Sequence, residues 1–210
     1  MLVRSGRSRF TLSTLPASEF PNLEEDAAGS RLEMKPDVLR GLIDRTAFSM
    51  AQQDVRYYLN GMLFELKPGR LRAVATDGHR LALCDAELDA PVEEASVILP
   101  RKGVMELSRI LGDSGEAARL TIGRNHVRIV VGAITFTSKL VDGKFPEYDR
   151  VIPKEGSRKV VADRETLRQA LARVAILSNE KYRGVRVQLS EGSLRIVANN
   201  PEQELSLIHI

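Results

Sequence analysis

The string Thr76-Asp77-Gly78-His79-Arg80-Leu81 is where this sequence comes closest to reactive chemistry. A carboxylate two residues from an imidazole could act as an acid–base pair, but a general base needs a second oriented group, and the neighbouring residues offer none. Asp-Gly is also a common turn dipeptide, so the sequence favours a tight turn with polar side chains. A third interpretation is the rim of a shallow pocket, where Gly78 and Leu81 lie beside cationic residues and accept an apolar anchor.

Other kinds of active site find no support in the sequence. The three histidines, His79, His126 and His209, share no metal-ligand spacing with one another or with the single cysteine, Cys84. The chain has no Walker loop, no dinucleotide-binding glycine run, no nucleophile elbow and no zinc-protease motif. We therefore expect no catalytic residue, no bound metal and no cofactor. A single cysteine also excludes an internal disulfide, which fits a reducing compartment.

The overall composition is that of a globular protein, with 43% hydrophobic residues. A net charge of +3 is by itself a weak indication of nucleic acid binding, and an aromatic content of 5% is too low for a protein built around base stacking. No apolar run approaches the length of a membrane span, and the first residues lack the apolar core of a signal peptide. We expect a cytoplasmic protein without membrane association.

One pattern repeats at the scale of a whole domain. Residues 61–77 lie over residues 184–200 without a gap, at a constant offset of 123 residues. Three further matches have offsets between 125 and 128; they pair Leu39 with Leu167, Gly6 with Gly132, and Phe20 with Phe145. A period of roughly 125 residues is too long for a solenoid unit and has the size of a domain. We therefore predict the end of one domain at 1–29, a complete domain at 30–157 and the first half of another at 158–210.

Three segments have the apolar periodicity of amphipathic helices, at about 36–50, 101–111 and 164–177. Each is followed by alternating segments typical of antiparallel strands, so a complete domain has one helix and several strands, twice, and the fold class is α+β. The apolar positions expected to face the core are Leu39, Leu42, Ile43, Ala47, Val104, Leu107, Leu111, Leu167, Ala170, Leu171 and Val174. Arginines and lysines on the opposite faces either solvate the helices or present a basic surface to a polyanion.

Six strings resemble the bacterial DNA polymerase sliding clamp, the beta subunit of the replicative polymerase. They are residues 53–64, 75–82, 100–104, 136–146, 175–185 and 198–204, and the resemblance covers the chain from residue 1 to about 204. It implies the DNA-clamp fold, in which repeated helix-plus-antiparallel-sheet domains place their helices around a DNA hole. The implied function is that of a non-catalytic processivity factor, which encircles duplex DNA and tethers the replicative polymerase.

The resemblance also implies three sets of site residues. A cleft for short peptide motifs is expected at Arg56, Tyr58, Leu59, Thr76, Gly78, His79, Arg80, Leu81, Pro146, Arg150 and Val151. Contacts to DNA are expected from Gln53, Tyr57, Tyr58, Arg101, Lys102 and Tyr182. A dimer interface that closes the ring is expected at Arg7, Arg9, Phe10, Ile176, Leu177, Glu202 and Glu204.

The partners implied by the resemblance are of three kinds. Double-stranded DNA is bound without sequence preference. Polymerase subunits, the clamp loader and repair proteins bind through short linear motifs, and a second subunit completes the ring in the full-length form. The expected location is the bacterial cytoplasm, at the nucleoid.

The sequence departs from the family pattern at both ends. Residues 205–210 are apolar where the family continues with an acidic stretch, so we interpret them as a foreign tail. Most of the first domain and the rest of the third are missing, so we expect a fragment that cannot close the ring and binds peptides weakly. Two other hypotheses are a stand-alone module that binds peptides or DNA without encircling anything, and an enzyme acting through His79 and Asp77.

Overall fold

The computed structural model describes residues 1–20, 29–113, 116–153, 156, 159–176, 178, 184–199 and 205–209. The chain divides into two units, residues 1–147 and 148–210. The division at 29/30 and 157/158 expected from the sequence stays a prediction. No helix in the described ranges is both long enough and apolar enough to cross a membrane.

The first unit starts with a small hairpin and continues with two copies of one order of elements. The hairpin pairs β1 (Leu2–Ser5) with β2 (Ser8–Thr11), and all of its residues are exposed. A strand, a helix and three strands follow twice; the sequence pattern predicts the helix and the strands after it in each copy, but not β3 before the first helix. The first copy is β3 (Ser30–Met34), α1 (Pro36–Thr46), β4 (Gly61–Lys67), β5 (Arg70–Thr76) and β6 (Leu81–Glu87); the second is β7 (Ala95–Pro100), α2 (Arg101–Ile110), β8 (Ala118–Ile122), β9 (His126–Val131) and β10 (Ile134–Lys139).

The two copies exchange their first strands. One four-stranded sheet has the order β6-β5-β4-β7 and the other has the order β10-β9-β8-β3, with every pairing antiparallel. In β3, buried and exposed residues alternate strictly, as expected for a strand with one face toward the core. Each half therefore needs the other half to complete its sheet.

Helices α1 and α2 cover the apolar faces of these sheets. Leu39, Leu42 and Ile43 of α1 are at most 2% exposed, and Val104 and Leu107 of α2 are at most 1% exposed. Each such side chain contributes about 1.5–3 kcal/mol on burial. The sequence pattern places these positions correctly in a core that spans both halves of the unit.

The end of α1 differs from the prediction. The helix ends at Thr46 and not near Met50, and a short 3-10 helix, Ala47–Ser49, follows it. The Thr46 hydroxyl donates a hydrogen bond of 2.7 Å to the Leu42 carbonyl, which satisfies a carbonyl of the last turn. Phe48, in the middle of this 3-10 helix, lies exposed.

The second unit contains α3 (Arg164–Ala175), β11 (Arg186–Ser190), β12 (Ser193–Asn199) and β13 (Leu205–His209). Asp163 caps α3, since its carboxylate accepts a 2.8 Å hydrogen bond from the Thr166 amide. The strand order is β11-β12-β13. The structure thus places residues 205–209 in a regular antiparallel pairing, and their foreign origin stays a prediction.

The repeat is confirmed at the level of strand register. Lys67 pairs with Arg70 in the β4–β5 hairpin, and Ser190 pairs with Ser193 in the β11–β12 hairpin, both at the offset of 123 residues. The glycines in these two turns have the same left-handed backbone, with φ of +78° at Gly69 and +65° at Gly192. A gapless match in sequence therefore corresponds to a gapless match in structure.

Equivalent positions of the two units are buried to different extents. Phe64 and Leu66 on β4 are 7% and 0% exposed, whereas their repeat partners Val187 and Leu189 on β11 are 49% and 58% exposed. Leu171, expected to face the core, is 36% exposed, so that prediction is wrong. In the first unit this apolar face is covered by α2 and the strands that follow it, whereas the described part of the second unit contains one α-helix, α3. The second unit has a groove of about 510 Å³ at this position. It is lined by residues 159–163 of the segment before α3, by the start of α3 and by the β11–β12 turn.

Leu66→Ala and Leu189→Ala form a matched pair that measures this difference. We expect Leu66→Ala to lower the free energy of unfolding by about 2–5 kcal/mol, because it removes a fully buried side chain. Leu189→Ala, at the equivalent position of the repeat, should change it by less than about 0.5 kcal/mol. Urea denaturation followed through NMR signals of the substituted hairpin measures both. Equal losses at the two positions would contradict the assigned burial.

Candidate functional site

The turn between β5 and β6 is held by two side chains that bond to its backbone. The Thr76 hydroxyl accepts a hydrogen bond from the Gly78 amide (3.1 Å) and donates one to the Arg80 carbonyl (2.7 Å). The Asp77 carboxylate accepts bonds from the amides of His79 (2.9 Å) and Arg80 (3.0 Å). Gly78 has φ of +87°, a conformation that favours glycine. The turn interpretation of this string is confirmed.

The bonding of Asp77 disfavours acid–base chemistry. Its second oxygen accepts a 3.1 Å bond from Arg80 Nε, so both oxygens have partners within the turn. Partial burial raises the pKa of Asp77, but the hydrogen bonds from His79 and Arg80 outweigh it and leave the pKa below its usual value. A carboxylate with a lowered pKa is a poor general base at neutral pH. His79 bonds to Asp77 through its backbone, and its exposed side chain lies at the tip of the turn.

Arg56 lies directly against this turn, although it is 22 residues away from Gly78 in the sequence. Its guanidinium donates a 3.3 Å hydrogen bond to the Asp77 carbonyl. A Cβ atom placed on Gly78 would lie 3.0 Å from Nη1 and 3.1 Å from Nη2 of Arg56. A side chain at position 78 would therefore require the guanidinium to shift by a few tenths of an ångström.

Arg56 is itself held by Asp54. The Asp54 carboxylate accepts bonds from Arg56 Nε (3.0 Å), Nη2 (2.8 Å) and the backbone amide (2.8 Å). The side-chain hydrogen bonds from Arg56, followed by the backbone bond, lower the pKa of Asp54 to about 2. The pair therefore stays ionised at neutral pH and well into the acid range. Sequence analysis missed Asp54, because neither its type nor its spacing from Arg56 is distinctive.

Phe48 is a second residue that sequence analysis missed. The guanidinium carbon of Arg80 lies 5.7 Å from the centroid of the Phe48 ring, within the range of a cation–π contact. Phe48 is 59% exposed, so an apolar surface borders the cationic side of the turn. The available signal was a large apolar residue just after α1 that does not fall on the buried face of the helix.

Five of the six residues expected to contact DNA belong to two neighbouring segments. Gln53, Tyr57 and Tyr58 lie in the segment 51–60, which joins the 3-10 helix after α1 to β4; Arg101 and Lys102 are the first residues of α2. The Arg101 amide donates a 2.9 Å hydrogen bond to the Asn60 carbonyl, which places the two segments side by side. Tyr182 lies outside the described residues.

The segment 51–60 has two further distinctive features. The rings of Tyr57 and Tyr58 meet edge to face with their centroids 5.8 Å apart. Gln53 has φ of +57°, in the left-handed region that non-glycine residues seldom occupy. Strained backbone of this kind is concentrated at functional sites, where surrounding contacts hold it.

The basic helix faces are less basic than the sequence predicts. Ion pairs within the same helix join Arg40 to Asp44 (3.4 Å), Arg109 to Glu106 (3.0 Å) and Arg168 to Glu165 (2.6 Å). The acidic neighbours, three or four residues away on the same helix, cancel much of the charge of these arginines. Arg101 and Lys102 differ in having no acidic residue with them in the first turn of α2.

The remaining predicted residues are exposed or lie outside the description. Pro146 is exposed near the end of the first unit, and Arg150 and Val151 are exposed near the start of the second. Among the interface residues, Arg7, Arg9 and Phe10 lie exposed in the β1–β2 hairpin, and Ile176 is 79% exposed at the end of α3. Leu177, Glu202 and Glu204 lie outside the described residues. Among the described side chains, no cluster of His, Cys, Asp and Glu could hold a metal ion.

Replacing Gly78 in the β5–β6 turn by alanine should lower the free energy of unfolding more than the same change at Gly69 in the β4–β5 turn. Both glycines have positive φ, but a Cβ at Gly69 meets no atom within 4 Å, whereas one at Gly78 meets the Arg56 guanidinium. We expect Gly69→Ala to cost about 1 kcal/mol from backbone strain and Gly78→Ala to cost about 1 kcal/mol more. Urea denaturation gives both values, and equal costs would contradict the contact with Arg56.

Comparisons with known proteins agree with this architecture. Family models of the DNA polymerase III beta subunit match residues 33–147 (central domain) and 149–206 (C-terminal domain). The beta sliding clamp of Pseudomonas aeruginosa is 58% identical over 205 residues, and that of Escherichia coli is 56% identical over 204 residues; each match covers 97% of this chain and 56% of the relative. The chain thus spans about half the length of the curated relatives it matches.

Solved structures give the same result. A crystal structure of the P. aeruginosa DNA polymerase III subunit beta has a TM-score of 0.93 and 56% identity, covering 100% of this chain and 58% of that one. A sliding clamp from the same organism bound to griselimycin has a TM-score of 0.89 and 57% identity, covering 100% of this chain and 57% of that one. The resemblance found in the sequence and the α+β clamp fold are confirmed: this chain belongs to the DNA polymerase III beta subunit family, the bacterial sliding clamps.

Proposed function

We propose that this chain is part of a processivity factor, which encircles duplex DNA and tethers the replicative polymerase and other clamp-binding proteins. The observation that carries the proposal is the family match, which extends over both units at 56–58% identity to sliding clamps. A tether acts without bond chemistry, because it raises the effective concentration of the polymerase at the DNA. The proposal therefore assigns no catalytic residue and no cofactor.

The proposed DNA contact is non-specific and electrostatic. Arg101 and Lys102 lie at the N-terminus of α2, where the helix dipole is already positive, so their charges are unfavourable to the helix and favourable to an external anion. Gln53, Tyr57 and Tyr58 lie in segment 51–60, whose Asn60 carbonyl accepts the hydrogen bond from the Arg101 amide. The paired arginines elsewhere on the helices weaken the attraction, and phosphate contacts of this kind carry no sequence information. Loose contact of this kind allows a ring to slide.

Lys102→Ala tests the DNA contact, with Lys67→Ala as its matched control. Lys67 is an exposed lysine at the opposite end of β4, roughly 20 Å along the strand from the start of α2. We expect Lys102→Ala to weaken binding equally to two duplexes of unrelated sequence and to reduce the slope of log K against log[salt] by about 1. Fluorescence anisotropy with labelled duplexes measures it. An equal effect of Lys67→Ala would contradict this surface.

An experiment with circular and linear DNA distinguishes encirclement from binding to the side of the duplex. Protein isolated from its source cells and loaded on nicked circular DNA should remain bound, and a single cut that linearises the DNA should release it. Equal retention on circular and linear DNA would favour a stand-alone binding module. In the encircling form, the proposed ring closure joins Arg7, Arg9 and Phe10 to Ile176, Leu177, Glu202 and Glu204 of a second subunit.

The β5–β6 turn is proposed as one wall of the peptide cleft. Its backbone is fixed by Thr76 and Asp77, so a ligand meets a preorganised surface and little entropy is lost on binding. The exposed side chains of His79 and Arg80 supply polar contacts, and Leu81 is half-buried beside them. Of the other residues that the resemblance implies, Tyr58, Leu59 and Pro146 belong to the same unit as the turn, whereas Arg150 and Val151 belong to the second unit. The ligands of the proposed cleft would be polymerase subunits, the clamp loader and repair proteins in the bacterial cytoplasm, at the nucleoid.

Griselimycin offers a test of this wall, since a P. aeruginosa sliding clamp of 57% identity has been crystallised with it. We propose that it binds this chain at the β5–β6 turn. His79→Ala should weaken binding about tenfold, the effect of losing one important contact residue. His126→Ala, on β9, serves as the control and should leave the Kd unchanged. Isothermal titration calorimetry measures both, and an unchanged Kd for His79→Ala would remove the turn from the site.

A further inference from the structure

The three atoms nearest to a Cβ built on Gly78 all belong to the guanidinium of Arg56. The same guanidinium donates to the Asp77 carbonyl at 3.3 Å. Arg56 thus supports the peptide backbone of the turn on the side that faces segment 51–60. This support depends on where the end of a long, flexible side chain is held.

Fixing an arginine side chain costs conformational entropy. The Arg56 side chain is 46% exposed, so it needs a bonding partner to hold it in one position. The fixed partner is Asp54, which accepts two bonds from the guanidinium in the bidentate geometry (3.0 and 2.8 Å) and a third from the Arg56 amide (2.8 Å). Both oxygens of the carboxylate are thereby directed at one residue.

Asp54 is in turn fixed by its own backbone. Its amide donates a 2.9 Å bond to Asn60 Oδ1, and its carbonyl accepts a 2.8 Å bond from Asn60 Nδ2. The Leu59 amide donates a 2.8 Å bond to the Arg56 carbonyl, and the Leu59 side chain is 2% exposed. A buried residue and an amide clamp therefore anchor the segment that carries Asp54.

We infer that Asp54 is a positioning residue: through Arg56 it holds the β5–β6 turn in the conformation that accepts a ligand. The inference adds a residue to the proposed peptide site and, for its effect on affinity, rests on the proposed function. The link between Asp54 and the conformation of the turn stands on the contacts alone. The lowered pKa of Asp54 agrees with a carboxylate committed to one cation.

A second Arg–Asp pair, on the sheet that carries the β5–β6 turn, provides a matched control. Arg72 Nε and Nη2 donate to the two oxygens of Asp85 at 2.7 and 2.8 Å, the same bidentate geometry. This pair lies on β5 and β6 about 13 Å along the strands from the turn. Asp85→Asn therefore removes the same charge and the same kind of ion pair, together with a longer contact to Arg70 (3.9 Å), without touching the turn.

The experiment compares Asp54→Asn, Asp54→Glu and Asp85→Asn in the 210-residue chain. Hydrogen exchange of the His79 and Arg80 amides, measured by NMR, reports opening of the turn, because both amides bond to Asp77. We expect exchange about fivefold faster or more in Asp54→Asn, no change in Asp85→Asn, and at least partial recovery in Asp54→Glu, which keeps a carboxylate for the guanidinium. Griselimycin should bind Asp54→Asn roughly fivefold more weakly than the wild type.

The outcomes separate this inference from the proposed function. Unchanged amide exchange and an unchanged Kd in Asp54→Asn overturn the inference. If the wild type does not bind griselimycin, or His79→Ala binds it equally well, the proposed peptide site fails, and amide exchange alone decides the role of Asp54. If Asp54→Asn does not fold, Arg56→Lys replaces it: this variant keeps the charge but loses the bidentate fork, and unchanged exchange in it overturns the inference.

Discussion

The structure of the first unit depends on two short helices covering one apolar face of two four-stranded sheets. Leu39, Leu42 and Ile43 on α1, with Val104 and Leu107 on α2, are almost completely buried against the strands. With one face of each sheet covered, the candidate ligand contacts arise at the strand ends. Three such ends are the segment before β4, the β5–β6 turn and the start of α2. The pairing of Gly61 with Pro100 brings the segment before β4 next to the start of α2.

The chemistry of the turn follows from what its side chains already bond to. Asp77 and Thr76 satisfy backbone groups that a four-residue connection leaves without strand partners. Groups used in this way are committed to structure, and only the side chains at the tip remain for a ligand. A motif that looks reactive in sequence is in this case a hydrogen-bonded turn whose carboxylate already has partners for both of its oxygens.

Sequence reasoning predicted local and repeated features well and long-range contacts poorly. The gapless repeat predicted the β11–β12 register from β4–β5, and periodicity predicted the buried faces of α1 and α2, because both signals are carried by neighbouring residues. The contact of Arg56 with Gly78 joins segments 22 residues apart and leaves no periodic trace in the sequence. Leu171 was misassigned for a related reason: helical periodicity shows which face is apolar but not whether another element covers it.

The exchange of first strands between the two halves has a consequence for the time course of folding. Partners in the β3–β8 pairing are 84 to 92 residues apart, whereas those in the β4–β7 pairing are 29 to 39 residues apart. Contacts this distant close late, because the chain entropy of the intervening loop opposes them. At 5–20 residues per second, the ribosome needs roughly 5–20 s to deliver β8 after β3. A nascent chain therefore carries an unpaired, half-apolar strand for that interval, while the sheet built on β4 and β5 can already form.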